Sequence, residues 1–187
     1  QRGAASQVRC GMSTSLDALL DREAIRDCLY RYCRGIDRAD EQALRSAYWP
    51  DATDCHGAWR GGASGFIDQA LEKLGAGGRR VHQISNVLIE LHGAAAAVES
   101  SFLALQSGAA QPQQETFLCG RYVDRFERRG GEWRISERTV VYDWIEERAR
   151  LQPGHERAEL FGVRRPVGAA APHDPVYTLL ERLRNAG

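Results

Sequence analysis

Apolar residues recur at Leu16, Leu19, Leu20, Ile25, Cys28, Leu29, Tyr32 and Ile36, with Arg and Asp between them. A step of three to four positions is the period of a helix with one buried face. It predicts an amphipathic helix from about Ser15 to Gly35, with Gly35 capping its end. Asp40 is placed to N-cap a shorter helix over Glu41 to Tyr48, which Pro50 stops. Thr53 to Trp59 reads as a short strand ended by Gly61-Gly62. Ser64 caps a third helix through Leu74, and a glycine-rich turn follows from Gly75 to Gly78.

From Arg80 onward the period falls to two. Arg80 to Leu91 and Ala95 to Leu105 are strand-forming runs, Gly108 to Gln114 is a polar loop, and Glu115 to Arg128 is a third long strand. Gly130-Gly131 is a tight hairpin signal leading into a fourth, Glu132 to Trp144. The tail beyond Ile145 is polar and Arg-rich, then loop-like through Pro172, and Asp174-Pro175 caps a last helix to about Leu183. Helices first and a long meander after predict an α+β fold. A curved antiparallel or mixed sheet wrapped around the N-terminal helices makes a cone with an apolar interior, suited to a small molecule. Residues 12–187 read as one domain, with a core over 15–145 and a C-terminal tail and helix over 146–187. Met12 looks like a natural start, and residues 1–11 are expected to be disordered or extraneous. Phe102 and Leu88 can face one way while Leu103 and Val87 face the other, so the sheet is apolar on both sides. The helices suffice to cover one side, and a homodimer or homotrimer is the expected cover for the other.

Charge changes this picture by what it removes. Lys+Arg and Asp+Glu both number 25, so no net field draws the chain to nucleic acid or an anionic membrane. The 43% hydrophobic content is ordinary for a globular domain of this length, and no apolar run is long enough to span a membrane. The cysteines, Cys10, Cys28, Cys33, Cys55 and Cys119, form neither a disulfide framework nor a Cys-x-x-Cys pair. Reduced, mostly buried thiols and a cytoplasmic location are the expectation.

Within the apolar segments stand three ionisable residues that invite chemistry: Asp37 after Gly35-Ile36, His82 after Val81, and Arg138 after Ser136-Glu137. A charge there costs free energy unless it is paired or used. Asp37 falls just past the predicted first helix, where the dipole disfavours a negative charge by ~0.3–1 kcal/mol. His82 opens a run in which His82, Ile84, Asn86 and Leu88 share one face, a partly polar wall. Arg138 shares a face with Arg134, Ser136, Val140, Tyr142 and Trp144. Each has a structural alternative: a surface pair with Arg34 or Arg38 for Asp37, an edge histidine for His82, and an ion pair with Glu127, Glu137 or Asp143 for Arg138. Together a carboxylate, an imidazole and a guanidinium can orient a base, abstract a proton and stabilise an anion without metal or cofactor. His56, His92, His155 and His173 lack metal-ligand spacing, no phosphate loop or nucleophile elbow is present, and no metal or cofactor is expected.

The segments Arg22 to Asp27, Tyr32 to Arg38, Tyr48-Trp49-Pro50-Asp51-Ala52, Gly120 to Glu127 and Gly131 to Ile135 resemble the SnoaL-like branch of the nuclear transport factor 2-like superfamily. The resemblance covers about two thirds of the chain, Arg22 to Trp144, and implies the cone fold. Dehydrochlorinase and bile acid dehydratase members use an Asp at a Gly-x-Asp position, a His opening a strand before x-x-x-Asn, and an Arg five residues after a Trp. By this resemblance those roles fall on Asp37, His82 and Arg138. The dehydratase pattern adds a Tyr five residues before the Asp, matched here by Tyr32. Asn86, Tyr48, Trp49 and Tyr142 are then the expected substrate contacts. The implied activity is a cofactor-independent lyase acting on a hydrophobic aromatic or polycyclic molecule. An isomerase or aldol cyclase with the same base, and a non-catalytic subunit like those of ring-hydroxylating dioxygenases, are the alternatives the superfamily also contains.

Overall fold

The structure is a computed structural model that describes residues 15–75, 77–108, 114–149 and 168–186. The expected N-terminal extension and most of the tail between residues 150 and 172 lie outside them. Helix α1 (Leu16–Arg38) is capped by the Ser15 side chain, which accepts from the backbone of Ala18. Its buried stripe takes in Ile25, Cys28, Leu29, Tyr32 and Ile36 from the marked positions and adds Cys33, while Leu16, Leu19 and Leu20 in the first turns are exposed. The helix runs three residues beyond its predicted end. Ala39 stops it in a left-handed conformation, and the Asp40 N–H donates to the Gly35 carbonyl at 3.0 Å. Gly35 is therefore not a cap: a Cβ there would sit 2.7 Å from Leu44, so its missing side chain lets helix α2 (Glu41–Ser46) cross close by. Asp37 falls in the last turn of α1 and not beyond it.

Helix α2 stops before Tyr48, which opens strand β1 (Tyr48–His56); β1 pairs with the short β2 (Trp59–Gly62), followed by α3 (Ala63–Gly75). The long strands are β3 (Gly78–His92), β4 (Ala95–Gly108), β5 (Gln114–Arg129) and β6 (Glu132–Ala149). They form one six-stranded sheet in the order β2-β1-β6-β5-β4-β3, antiparallel except for the parallel β1–β6 pair. The fold is the expected α+β cone, with an open, curved, mixed sheet.

Register slips supply the curvature, as bulges do. One lies between Ser85 and Leu88 of β3, and two lie along the β5–β6 pair, at Cys119/Gly120 and Arg125/Phe126. Gly120 sits at one of them, where a Cβ would lie 2.0 Å from the Val141 carbonyl oxygen. The concave face closes over α1 and α3 around Leu29, Ile67, Phe102, Phe126 and Ile135. Each such side chain contributes ~1.5–3 kcal/mol by leaving water. Helix α4 (Pro175–Arg184) braces the α1–α2 corner beside Asp37. The Ala171 N–H donates to the Arg38 carbonyl at 2.7 Å, Arg38 pairs with Asp174 at 3.1 Å, and the Tyr177 hydroxyl donates to Asp40 at 2.7 Å.

Among the described residues, no helix is long and apolar enough to cross a membrane. The four cysteines among the described residues are free, Cys28 and Cys33 buried in the core and Cys55 and Cys119 partly exposed.

Candidate active site

A cavity of about 630 Å³ opens between α1, α3 and the concave face of the sheet. Phe66, Phe102, Tyr122 and Trp59 give it aromatic walls, and Tyr32, Tyr142, His56 and His82 bring polar atoms to them.

His82 and Asp37 meet at this wall. The Asp37 carboxylate lies with Oδ1 2.6 Å from His82 Nδ1, while Oδ2 accepts the backbone N–H of His82 at 3.0 Å. One carboxylate thus holds both the ring and the strand that carries it, which fixes the imidazole against the end of α1. Both side chains are nearly buried, 10% and 11% exposed. A carboxylate against Nδ1 selects the tautomer with its hydrogen there and leaves Nε2 as the free nitrogen. Ala104, the β4 residue opposite His82, is small and fully buried, leaving room for the ring.

Tyr32 lies five residues before Asp37 on the buried stripe of α1 and also lines the cavity. Burial pushes its phenol above the ordinary tyrosine value, so it serves as a hydrogen-bond donor. Arg138 has a different placement from the expected one. It is 2% exposed and stands behind the cavity wall, outside the lining. Its guanidinium makes a two-pronged contact with Asp124, Nε to Oδ1 at 2.8 Å and Nη2 to Oδ2 at 2.7 Å. Tyr32 and Tyr122 cover its faces at 4.2 and 4.1 Å. Burial opposes this charge, and Asp124 outweighs the opposition, so the guanidinium holds its proton well above the usual range. The physical reason for the placement is register: a carboxylate directly across the strand pair satisfies the fork, and an apolar cavity wall cannot.

Three expected substrate contacts are also placed elsewhere. Asn86 is exposed, with a left-handed φ of 48° at the β3 bulge, which reverses the alternation so that Val87 and Ile89 turn inward and Leu88 outward. Tyr48 is buried beneath the wall, its hydroxyl donating to Asp54 Oδ2 at 2.7 Å. Trp49 lies under Arg129 and Arg134, and its indole N–H donates to the Glu127 carbonyl. Tyr142 does line the cavity, its ring edge-on to His56 and Phe102.

Sequence reasoning set His56 aside because it lacks metal-ligand spacing. The structure puts it in the cavity wall, stacked on Phe66 at 4.4 Å and 3.5 Å from Asp54. The available signal was the Asp54-x-His56 alternation, which turns both side chains to one face of a strand. Lys73 and Arg80 line the cavity too, and no carboxylate is among its described lining residues. Among the described residues, no group of three or more His, Cys, Asp or Glu side chains is placed to hold a metal ion.

The fold has relatives. A hexachlorocyclohexane dehydrochlorinase, LinA type 2, superposes with a TM-score of 0.67 at 25% identity, covering 75% of this chain and 98% of that one. The type 3 enzyme from Novosphingobium barchaimii gives 0.65 at 24% identity, covering 74% and 98%. A candidate scytalone dehydratase from Novosphingobium aromaticivorans gives 0.63 at 20% identity, covering 73% and 95%, and at that identity speaks for the fold alone. No curated protein matches the sequence. The SnoaL-like domain family matches residues 17–139, which span α1 through the Arg138 pair, and the chain belongs to that family within the nuclear transport factor 2-like superfamily.

Proposed function

We propose that this protein is a cofactor-independent lyase that eliminates a small group from a hydrophobic ring compound. The 2.6 Å contact between His82 and Asp37 at the wall of an aromatic cavity carries this reading. His82 Nε2 removes a proton from a substrate carbon, and the Asp37 carboxylate beside Nδ1 stabilises the imidazolium that forms. The C–H electron pair becomes the new double bond, and the group on the adjacent carbon departs with its bonding pair. Tyr32, a neutral phenol in the cavity, donates to the negative charge as it develops. Arg138 supports the site from behind by fixing Tyr32 and Tyr122. Similarity to the dehydrochlorinases, which bear the same fold at 25% identity, supports elimination over other proton-transfer chemistry.

The test is a panel of chlorinated cyclohexanes and cyclic β-hydroxy ketones, followed by mass spectrometry. Wild-type protein is expected to yield a product lighter by HCl or water. His82→Ala should lower turnover ~10²–10⁴-fold, the usual contribution of a positioned base, with the fold intact by circular dichroism. Near-wild-type turnover in that variant would falsify the dyad. A product of unchanged mass would replace elimination by isomerisation with the same base.

A further inference from the structure

The cavity holds a second imidazole–carboxylate pair. Asp54 and His56 alternate on β1, so both face inward, and His56 is in the cavity wall while the Asp54 side chain is fully buried. His56 Nδ1 lies 3.5 Å from Asp54 Oδ1. Both atoms are shut off from solvent, and neither has another hydrogen-bond partner. Buried complementary atoms left this close and unmet need an explanation. Contacts of this kind in an unliganded catalytic site are often long and tighten when substrate arrives. Both members of the pair are held. Asp54 Oδ2 accepts the Tyr48 hydroxyl at 2.7 Å, Arg138 Nη1 reaches Tyr48 Oη at 3.5 Å, and the His56 ring stacks on Phe66 within 17° of parallel. With Nδ1 enclosed beside Asp54, the part of the ring open to the cavity lies away from Nδ1. Nε2 is then the nitrogen that can meet a ligand.

We propose that His56, anchored by Asp54, is the acid partner of His82 and delivers a proton to a departing oxygen. The proposal rests on the elimination reading and completes it. His82 Nε2 takes the proton from carbon, and the C–H pair forms the double bond. The C–O pair leaves with the oxygen, which takes the Nε2 proton of protonated His56 and departs as water. His82 then releases its proton to solvent and His56 takes one up, so the sum is substrate to alkene plus water. Halide leaves without a proton, so a chloride-losing substrate uses His56 only as a hydrogen-bond donor. This arrangement points to hydroxylated ring compounds as the substrate class.

The test uses the full chain with ¹⁵N-labelled histidine. His56 signals are identified by their loss in His56→Gln. Neutral His56 is expected to carry its hydrogen on Nδ1, a preference that Asp54→Asn abolishes. Added 1-naphthol, an oxygen-bearing ring probe, should shift its Nε2 signal, while naphthalene should leave it in place. In turnover, His56→Gln should slow loss of hydroxide from a cyclic β-hydroxy ketone roughly 10²-fold more than it slows loss of chloride from its β-chloro counterpart. A neutral His56 with its hydrogen on Nε2, or a signal indifferent to naphthol, overturns the assignment. Equal slowing of both leaving groups does the same. If His82→Gln keeps turnover while the naphthol response at His56 persists, the reading of His82 as the base fails and the binding role of His56 stands.

Discussion

Replacing Arg138 by Met removes one half of a fully buried ion pair and leaves Asp124 without a partner. Burial already pushes the Asp124 carboxyl upward, and the Arg138 guanidinium is the charge that opposes this push. Breaking such a pair costs ~3–5 kcal/mol, because the survivor stays desolvated and uncompensated. For a chain of this size that lowers the melting temperature by roughly 6–20 °C. Arg138→Met/Asp124→Leu removes both charges and refills much of the space. It should recover to within ~1–2 kcal/mol of wild type, the remainder being the cation–π contacts with Tyr32 and Tyr122. Urea and thermal melts followed by circular dichroism measure both differences. Turnover of the double variant then separates support from chemistry. Because Arg138 stands outside the lining, activity should return with stability to within about tenfold, since an interaction made directly with the transition state would cost far more. A stable double variant with turnover reduced beyond ~10²-fold would refute this placement and put Arg138 in the reaction itself.

Four further outcomes follow from other parts of the molecule. Burial pushes the thiols of Cys28 and Cys33 up to about 11 and about 12, so both should resist a disulfide reagent at pH 8 that modifies the partly exposed Cys55. Both thiols keep their protons in the folded state after the unfolded chain has lost them. Stability should therefore fall from about pH 9 toward pH 11, by up to ~1.4 kcal/mol per pH unit for each thiol, and urea melts giving a flat profile would contradict this. Arg80 shares the inward face of β3 with His82, about 7 Å along the strand, so 2-naphthoate should bind more tightly than naphthalene, and Arg80→Gln should remove the difference in a calorimetric titration. On the outer face, exposed Val81, Leu103, Leu105 and Trp144 form a patch across β3 to β6, with Val81 opposite Leu105 and Cys119 between Leu103 and Trp144. We expect a second copy to cover it, and light scattering at micromolar concentration should give a dimer or trimer of the 20.8 kDa chain, a clean monomer being the contrary result.

How far the sequence spoke for itself varied with distance along the chain. The stripe of α1 from Ile25 to Ile36 and the Gly130-Gly131 hairpin are local signals, and both are found where the pattern puts them. Gly35 misled because a glycine near a helix end suggests a cap, and the close crossing of Leu44 is a tertiary fact. The faces of the strands were readable only as far as the first bulge. Counted strictly from the hairpin, Arg138 lies opposite Val123. The slip at Arg125/Phe126 moves it to Asp124, a partner the sequence reading did not consider. A second slip turns Trp144 out to solvent although it is two positions from inward-facing Tyr142. The slip in β3 does the same to Leu88 and sets Asn86 in the turn of the bulge. Alternation carries no information about where an extra residue is inserted, so the error grows with each bulge.

The same bulges explain how an open sheet holds a preorganised polar site. Each imidazole in the cavity has a carboxylate beside it: Asp37 from the last turn of α1 holds His82 at 2.6 Å, and Asp54 stands 3.5 Å from His56 on the same strand β1. Asp37 has no freedom to turn away, because its second oxygen holds the backbone of β3 and α4 braces the corner behind it. Asp54 is fixed through Tyr48, which stands beside Arg138, and Arg138 is fixed by Asp124 through the register that the β6 slip creates. A one-residue insertion in the middle of β6 thus aligns three acidic and basic side chains on neighbouring strands, Asp54, Arg138 and Asp124, behind an aromatic wall. Groups held this way lose little freedom when substrate binds, which is the condition for placing a base and an acid within tolerance of one substrate. The buried guanidinium, placed away from the cavity, is then the element that ties Asp124 of β5 to Tyr48, the residue that holds Asp54 behind the apolar pocket.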